Sequence, residues 1–218
     1  MKQGANNSNQ RVGIFVDVQN LYHSAKNLYQ GRVNYAELMK HLVGERQLVR
    51  AMAYVVKSEG IEPQQSPAAR ASKKIITETN GAASAESSFF EALEKAGLEL
   101  RMKDLQVYAG GMKKGDWDVG IAVDAIRMSS FLDAIILVTG DGDFLPLINY
   151  LKWGAGRVVE VAAFRRSASS KLHDAADSFI NIETLPRVIM KGRAAGASGG
   201  SRGRSARPES SEDRVSDW

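Results

Sequence analysis

Residues 134–148 read AIILVTGDGDFLPLI, and this stretch decides the fold class. The run 134–139 is apolar almost throughout and rich in β-branched residues, which is typical of a strand buried on both faces of a parallel sheet. Residues 144–153 are predicted to form a helix, because Pro146 then falls in the first turn, where no intrahelical N–H bond is lost. A short turn that holds two glycines and two aspartates joins the strand to the helix.

The same succession of apolar runs and helical patterns recurs on both sides of this stretch. Further strands are predicted at 12–16, 48–56, 98–102, 157–163 and 179–182, the third of them at an edge of the sheet. Helices are predicted at 21–28, 34–43, 88–96, 118–128 and 170–176. This alternation predicts an α/β, Rossmann-like architecture, with a mostly parallel sheet and helices on both faces.

The chain divides into one domain and two appendages. Residues 1–10 are predicted to be a disordered leader and residues 11–190 the domain. Within it, 57–86 reads as a long loop with a short helix at 73–77, and a loop of that length is functional or mobile. Residues 191–218 are rich in Gly, Ser and Arg, with six Lys/Arg against four Asp/Glu, and are predicted to be disordered. Spaced arginines of this kind associate with RNA, although a solubilising linker is an equal alternative.

Composition excludes several classes of protein. The 218 residues are 44% hydrophobic and 25% charged, as in globular domains, and no apolar run is long enough to span a membrane. There is no cysteine, which excludes disulfides and thiolate metal sites, and the polar N-terminus does not resemble a signal peptide. A cytoplasmic location is expected. The net charge of +4 and the pI near 9.3 favour, mildly, an acidic partner such as nucleic acid.

Carboxylates stand where the predicted elements begin or end. Asp17 follows the first strand, Asp141 follows the strand 134–139, and Asp118 begins a helix. Ligands of open α/β sheets bind outside the carboxyl ends of the strands, so Asp17 and Asp141 are expected to share one edge. Clustered carboxylates are costly to ionise together without a cation. Mg²⁺ or Mn²⁺ relieves that cost and supplies the chemistry for hydrolysing a phosphodiester.

Each acid also has an ordinary structural interpretation. Asp143 can cap the helix that begins at Phe144, and Asp118 can be an acid favoured by the helix dipole. Asp124 lies roughly a third of a turn from Asp118 around an ideal helix, so it is expected to support the site or to form a salt bridge. Asp116 is interpreted as a solvated loop charge.

Three segments together resemble the NYN domain family, the LabA-like branch of the PIN-like ribonucleases. They are VGIFVDVQNL (12–21), KGDWDVGIAVDA (114–125) and LVTGDGDFLPL (137–147). Their order and spacing, with GRVVEV (156–161) and residues 172–179 as closing elements, extend the resemblance over about residues 11–185.

The resemblance implies a PIN-like fold and an endoribonuclease that depends on Mg²⁺ or Mn²⁺. It further implies that Asp17, Asp118 and Asp141 are the catalytic metal ligands and that Asn20 orients a ligand or the scissile phosphate. Asp124 and Asp143 would complete the site. Thr139 would bond a metal-bound water, with an ordinary strand position as its alternative role.

Four basic residues lie in loops beside the expected site and can bind phosphates, or can be solvated charges: Lys113, Lys114, Arg165 and Arg166. Tyr108 and Trp117 can stack on a base, although packing is the more common role for such residues.

Three functions remain open from the sequence. The leading one is hydrolysis of RNA, and its main alternative is a non-catalytic module that binds RNA or a protein in a regulatory complex. A small-molecule phosphohydrolase is the third. The retained acids favour an enzyme, because a pure RNA-binding surface has no need of carboxylates that repel phosphate. RNA is the expected partner, association into a homo-oligomer is left open, and no membrane partner is expected.

Overall fold

A six-stranded parallel sheet forms the centre of the computed structural model, which describes residues 8–57, 86–107, 113–114 and 116–191. The strands of the described residues are β1 (Arg11–Asp17), β2 (Gly31–Val33), β3 (Gln47–Lys57), β4 (Glu99–Asp104), β5 (Gln106–Val107), β6 (Lys113–Lys114), β7 (Ala134–Val138), β8 (Val158–Ala163), β9 (Ser178–Asn181) and β10 (Ile189–Lys191). The order β4-β3-β1-β7-β8-β9 places β1 and β7 side by side at the centre, and every neighbouring pair is parallel. The predicted α/β fold with a mostly parallel sheet is confirmed.

Helices cover both faces of this sheet. They are α1 (Val18–Tyr29), α2 (Tyr35–Val43), α3 (residues 86–95), α4 (Asp118–Met128), α5 (Leu145–Asn149) and α6 (Ser170–Ala175). Val12, Ile14 and Val16 of β1 pack into the core shared with α1, α2 and α3, whereas Phe15 packs into the core shared with α4, α5 and α6. The alternation along β1 shows that its two faces are both buried, as the continuous apolar run predicted.

Local signals set the ends of several helices. The Asn34 side chain accepts a hydrogen bond from the Glu37 backbone N–H at 3.3 Å, so α2 begins where the capping spacing predicted. Gly97, with φ of +84°, lies just after α3, in a conformation that glycine adopts without strain. α3 already includes residue 86, so the helix extends at least two residues before the predicted start at Ser88.

The helix predicted at 144–153 proves to be a composite. A 3₁₀ turn (Gly142–Phe144) leads into α5, and a π-helical turn (Tyr150–Gly154) follows. On α4 the buried residues are Ile121, Ala125 and Met128, whereas Ile126 is 39% exposed. Neither the antiparallel pair β2–β10 nor the pair β5–β6 was predicted, because strands of two or three residues show no periodicity.

Some predictions concern residues outside the described ranges. These are the leader up to residue 7, the loop between 58 and 85 with its short helix at 73–77, Tyr108, and the tail from residue 192. Within the part of the chain that the structure describes, no helix is both long and apolar enough to cross a membrane.

Candidate metal centre

The site lies where the two central strands end. β1 pairs with β7 in parallel, with Val16 opposite Val138, so the next residues along the chain, Asp17 and Thr139, come together at the carboxyl edge. The Thr139 hydroxyl donates to Asp17 Oδ2 at 3.1 Å. The expectation that the ends of these two strands share one edge is met by this pairing.

Asp17 is held from two directions. Its Oδ1 accepts a hydrogen bond from the Asn20 backbone N–H at 3.1 Å, which makes Asp17 the N-cap of α1. Burial raises the pKa of the Asp17 carboxyl, and the nearby charge of Asp141 raises it further, although the bonds from Asn20 and Thr139 act in the opposite direction. The side chain is therefore fixed in orientation while its negative charge is disfavoured.

The turn after β7 presents two more carboxylates. Thr139 Oγ1 accepts from the Asp141 backbone N–H at 3.2 Å, and Asp141 Oδ1 accepts from the Asp143 N–H at 3.0 Å. Asp141 therefore caps the 3₁₀ turn that begins at Gly142. The predicted capping role of Asp143 is not observed: α5 has no side-chain cap, and Asp141 caps the 3₁₀ turn that precedes α5.

Close packing of a neighbouring loop explains the glycines of this turn. A Cβ on Gly140 would lie 3.1 Å from the Ala168 Cα, and one on Gly142 would lie 3.0 Å from the Ser169 hydroxyl. The Ser169 N–H also donates to the Gly140 carbonyl at 3.0 Å. Residues 167–169 thus support the acidic turn from the side of β8, a contact that the sequence did not reveal.

Asp118, from the first turn of α4, approaches the turn after β7. Asp118, Asp141 and Asp143 each offer one carboxylate oxygen, and these three atoms lie within 4.8 Å of one another. We call these three residues the acidic cluster. Burial is the largest cause that raises the pKa of Asp118, and further increases come from the charges of Asp141, Asp17, Asp116 and Asp143.

Asp124 points into a different set of contacts. Its carboxylate accepts from the Tyr54 hydroxyl at 3.0 Å and lies 3.5 Å from Arg101 Nε. Burial raises the pKa of Tyr54, and the Asp124 charge raises it further. Asp124 is thus placed in a salt bridge, the alternative that its helical offset from Asp118 had left open. Tyr54 and Arg101 were not among the predicted site residues, because neither carries a local motif.

Asn20 links α1 to the acidic turn. Its Oδ1 accepts from the Gly140 N–H at 2.9 Å, across 120 residues of chain.

The side chain of Trp117 packs against the domain. Its Nε1 donates to the Val55 carbonyl at 2.8 Å and its ring meets Tyr54 edge-on at 5.4 Å.

The four predicted phosphate-binding residues are less clearly placed. Arg165 and Arg166 are exposed directly after β8, at the same edge of the sheet as Asp17. Lys113 and Lys114 form β6, but their side chains lie outside what the structure describes. All four remain predictions.

Two comparisons with known proteins agree with this geometry. The NYN domain family is matched by residues 11–183 of the chain, a range that includes every acid of the site. A crystal structure of a protein of unknown function from Vibrio parahaemolyticus is similar, with 30% sequence identity and a TM-score of 0.66. That similarity covers 81% of this chain and 95% of the other. Among the curated proteins, none matches the chain.

Proposed function

Because this chain belongs to the NYN domain family, we propose that it is an endoribonuclease that uses a divalent metal ion to hydrolyse phosphodiester bonds within RNA. The family has a nuclease-type fold, and the observation that carries the proposal is the acidic cluster. Its three carboxylate oxygens lie within 4.8 Å at the carboxyl edge of the sheet, where α/β folds bind their ligands.

The donor set fits Mg²⁺ or Mn²⁺. All the candidate ligand atoms are carboxylate oxygens, which are the hard ligands that these cations prefer. The raised pKa values of Asp17 and Asp118 show that burial and mutual repulsion disfavour their charged forms. A bound cation offsets both effects. Because it is costly to keep several carboxylates charged side by side in the metal-free protein, the site favours binding of a divalent metal ion.

The residues divide the work as follows. Asp118, Asp141 and Asp143 would hold the cation, and Asp17, oriented by Thr139 and the Asn20 backbone, would add a fourth carboxylate from the end of β1. The cation, when bound, neutralises charge on the phosphate and lowers the pKa of the attacking water. In the hydrolysis the water oxygen bonds to phosphorus and the bond from phosphorus to one ribose oxygen breaks. The water gives up one proton as it bonds, and the departing ribose oxygen takes up one, so the protons balance.

Asp141→Asn tests this function. The amide keeps an Oδ1 that can accept from the Asp143 N–H, so the turn is preserved, but the charge that binds the cation is lost. We expect Mn²⁺-dependent cleavage to fall below detection. We also expect the melting temperature in EDTA to be unchanged or raised, because repulsion within the acidic cluster is relieved.

The assay uses the full-length protein with mixed RNAs, including a circular RNA that only an endonuclease can open, with Mn²⁺ or with EDTA. Glu45→Gln is the matched control, since it also removes one carboxylate charge but lies before β3, at the opposite edge of the sheet. Undiminished cleavage by the Asn variant would rule out the proposed role of Asp141. Binding of RNA without cleavage under any metal condition would favour the non-catalytic regulatory module.

A further inference from the structure

A groove of about 910 Å³ opens between α1 and α3, and its size is that of a ligand site. Among the residues that the structure describes, four tyrosine and phenylalanine side chains line it: Tyr22, Tyr35, Phe89 and Phe90. We call it the aromatic groove. Tyr22 is 46% exposed on α1, whereas Tyr35 is buried and forms part of the groove wall.

The aromatic groove reaches the residues that directly follow Asp17. Val18 and Gln19, the two residues that directly follow Asp17, line it, as do Val55 and Val56 near the carboxyl end of β3. Asp17 also acts electrostatically on Tyr35, since burial raises the pKa of the Tyr35 hydroxyl and the Asp17 charge raises it further. A strand bound at the acids can therefore continue into the groove.

Among the described residues that line the groove, cations outnumber acids. Of the described residues that line it, Arg32 and Lys95 are cations and Glu86 is an acid. Lys95 also pairs with Glu91 at 3.4 Å on the exposed surface of α3. A further cation, the Lys26 amine, lies 5.7 Å from the centre of the Tyr22 ring. Aromatic faces with cations beside them are the combination that binds single-stranded nucleic acid, because bases stack on the rings and phosphates meet the cations.

From this juxtaposition we infer that the aromatic groove binds the bases of a single-stranded RNA whose backbone continues into the acidic cluster, with Tyr22 as a stacking surface. This inference rests on the proposed function, because it treats the groove as the path of the same RNA strand. It makes the substrate an unpaired strand, since a paired base has no free face to offer an aromatic side chain in a groove.

The variants Tyr22→Ala and Tyr22→Phe test whether the Tyr22 ring stacks on a base of the RNA. Affinity for a fluorescent 12-nucleotide single-stranded RNA is measured in EDTA, where no cleavage occurs, together with an abasic oligomer of the same length and charge. Loss of the ring is expected to weaken binding of the RNA about tenfold, the scale of one lost base–aromatic stack. Binding of the abasic oligomer is expected to stay the same, and the Phe variant to bind both as the wild type does.

Tyr150→Ala is the matched control, because Tyr150 is 49% exposed but lies on the π-helical turn before β8. It is expected to bind RNA as the wild type does. A second measurement avoids mutation altogether: RNA carrying 4-thiouridine should crosslink to Tyr22 or to residues 86–95 on irradiation. Wild-type affinity in Tyr22→Ala, equal weakening for both oligomers, or crosslinks confined to other parts of the chain would overturn the inference.

The two proposals fail in different ways. If no RNA is cleaved with any metal but Tyr22→Ala still weakens RNA binding, the nuclease proposal fails and the groove assignment holds. If RNA is cleaved and Tyr22→Ala has the wild-type KM and affinity, the groove assignment fails alone.

Discussion

One hydroxyl group connects two of the acids. Thr139 Oγ1 donates to Asp17 Oδ2 and accepts from the Asp141 N–H, at a position that is 2% exposed. The sequence assigned Thr139 either a bond to a metal-bound water or an ordinary strand position. In the structure its hydroxyl orients the Asp17 carboxylate and the turn that carries Asp141. Residues that hold metal ligands in place by hydrogen bonds affect the metal affinity of a site.

Thr139→Val replaces this hydroxyl with a methyl group and leaves the half-buried Asp141 N–H and one Asp17 carboxylate oxygen without this partner. We expect the free energy of unfolding to fall by about 1–3 kcal/mol and Mn²⁺ affinity to fall roughly 10- to 100-fold. Chemical denaturation and calorimetric titration measure the two effects. Thr139→Ser keeps the hydroxyl and serves as the control, with affinity near that of the wild type. Equal Mn²⁺ affinity in the Val and Ser variants would show that the hydroxyl does not orient the site.

Two aspartates with opposite pKa shifts predict opposite pH effects on stability. The folded-state pKa of Asp118 is raised by burial and by neighbouring acids. Below the unfolded value of about 4, Asp118 is protonated in both states and resembles Asn. As pH rises through the window between the unfolded and the raised folded pKa, the wild type should lose stability relative to Asp118→Asn, and the difference should then level off.

Asp133 provides the comparison of opposite sign. Its carboxylate accepts from the Arg11 backbone N–H and guanidinium at 2.7–3.0 Å, and these bonds lower its pKa. Asp133→Asn should therefore be less stable than the wild type at neutral pH, and the deficit should start to shrink as pH falls below the unfolded value of about 4 towards the lowered folded pKa. Denaturation in EDTA between pH 3 and 7 tests both variants. Parallel stability curves for the two variants would contradict the assigned causes.

At the scale of elements, the site depends on contacts between segments far apart in the chain. Asn20 of α1 reaches the Gly140 N–H across 120 residues, and residues 167–169 pack against the same turn. These contacts fix the position of Asp141 and Asp143 relative to Asp17. The sheet thus brings the acids to one edge, and α1 and the loop after β8 fix the position of the turn that carries Asp141 and Asp143.

Asn20→Ala tests how much the bond between Asn20 and Gly140 contributes to stability and to turnover. Removing the amide leaves the Gly140 N–H without its acceptor, so we expect a loss of about 1–2 kcal/mol in the free energy of unfolding. We also expect a lower kcat, since the turn bearing Asp141 is no longer held. Asn27→Ala, an exposed position on the same helix, should change stability by less than about 0.5 kcal/mol. Identical unfolding curves for the two variants would remove Asn20 from the site.

The sequence could predict features that depend on residues close together in the chain, but not contacts between distant segments. The buried strands and the cap at Asn34 follow from runs and spacings of a few residues, and the acids at the ends of β1 and β7 follow from the topology of parallel sheets. The partners of Asp124 could not be predicted, because Tyr54 lies 70 residues away in sequence. The aromatic groove was missed for the same reason, since α1 and α3 meet only in the folded chain.

At the scale of the whole molecule, the end of β10 defines where a tail can be removed. Lys191 pairs with Gly31, so the sequence-based boundary at 191 would cut into a strand, and a truncation should begin at residue 192. Met190, one residue before the end of β10, lines the aromatic groove. The chain therefore leaves the described domain beside the surface to which we assign RNA binding.

Deleting residues 192–218 should weaken RNA binding without abolishing turnover. The segment contains five arginines: Arg193, Arg202, Arg204, Arg207 and Arg214. Each arginine that neutralises a phosphate of single-stranded RNA contributes about 0.7 to the slope of log affinity against log salt. We expect the slope to become shallower by up to about 3.5 if all five engage. The value of kcat at saturating RNA is expected to stay close to that of the full-length protein.

A full-length control with these five arginines changed to glutamine distinguishes charge from chain length. It should reproduce the shallower salt slope of the truncated protein, because both proteins lack the phosphate contacts of the five arginines. Equal salt slopes in the truncated and full-length proteins would make the segment a passive linker. Loss of turnover at saturating RNA in the truncated protein alone would instead show that the domain extends beyond Lys191, because the five-glutamine control keeps the full length of the chain.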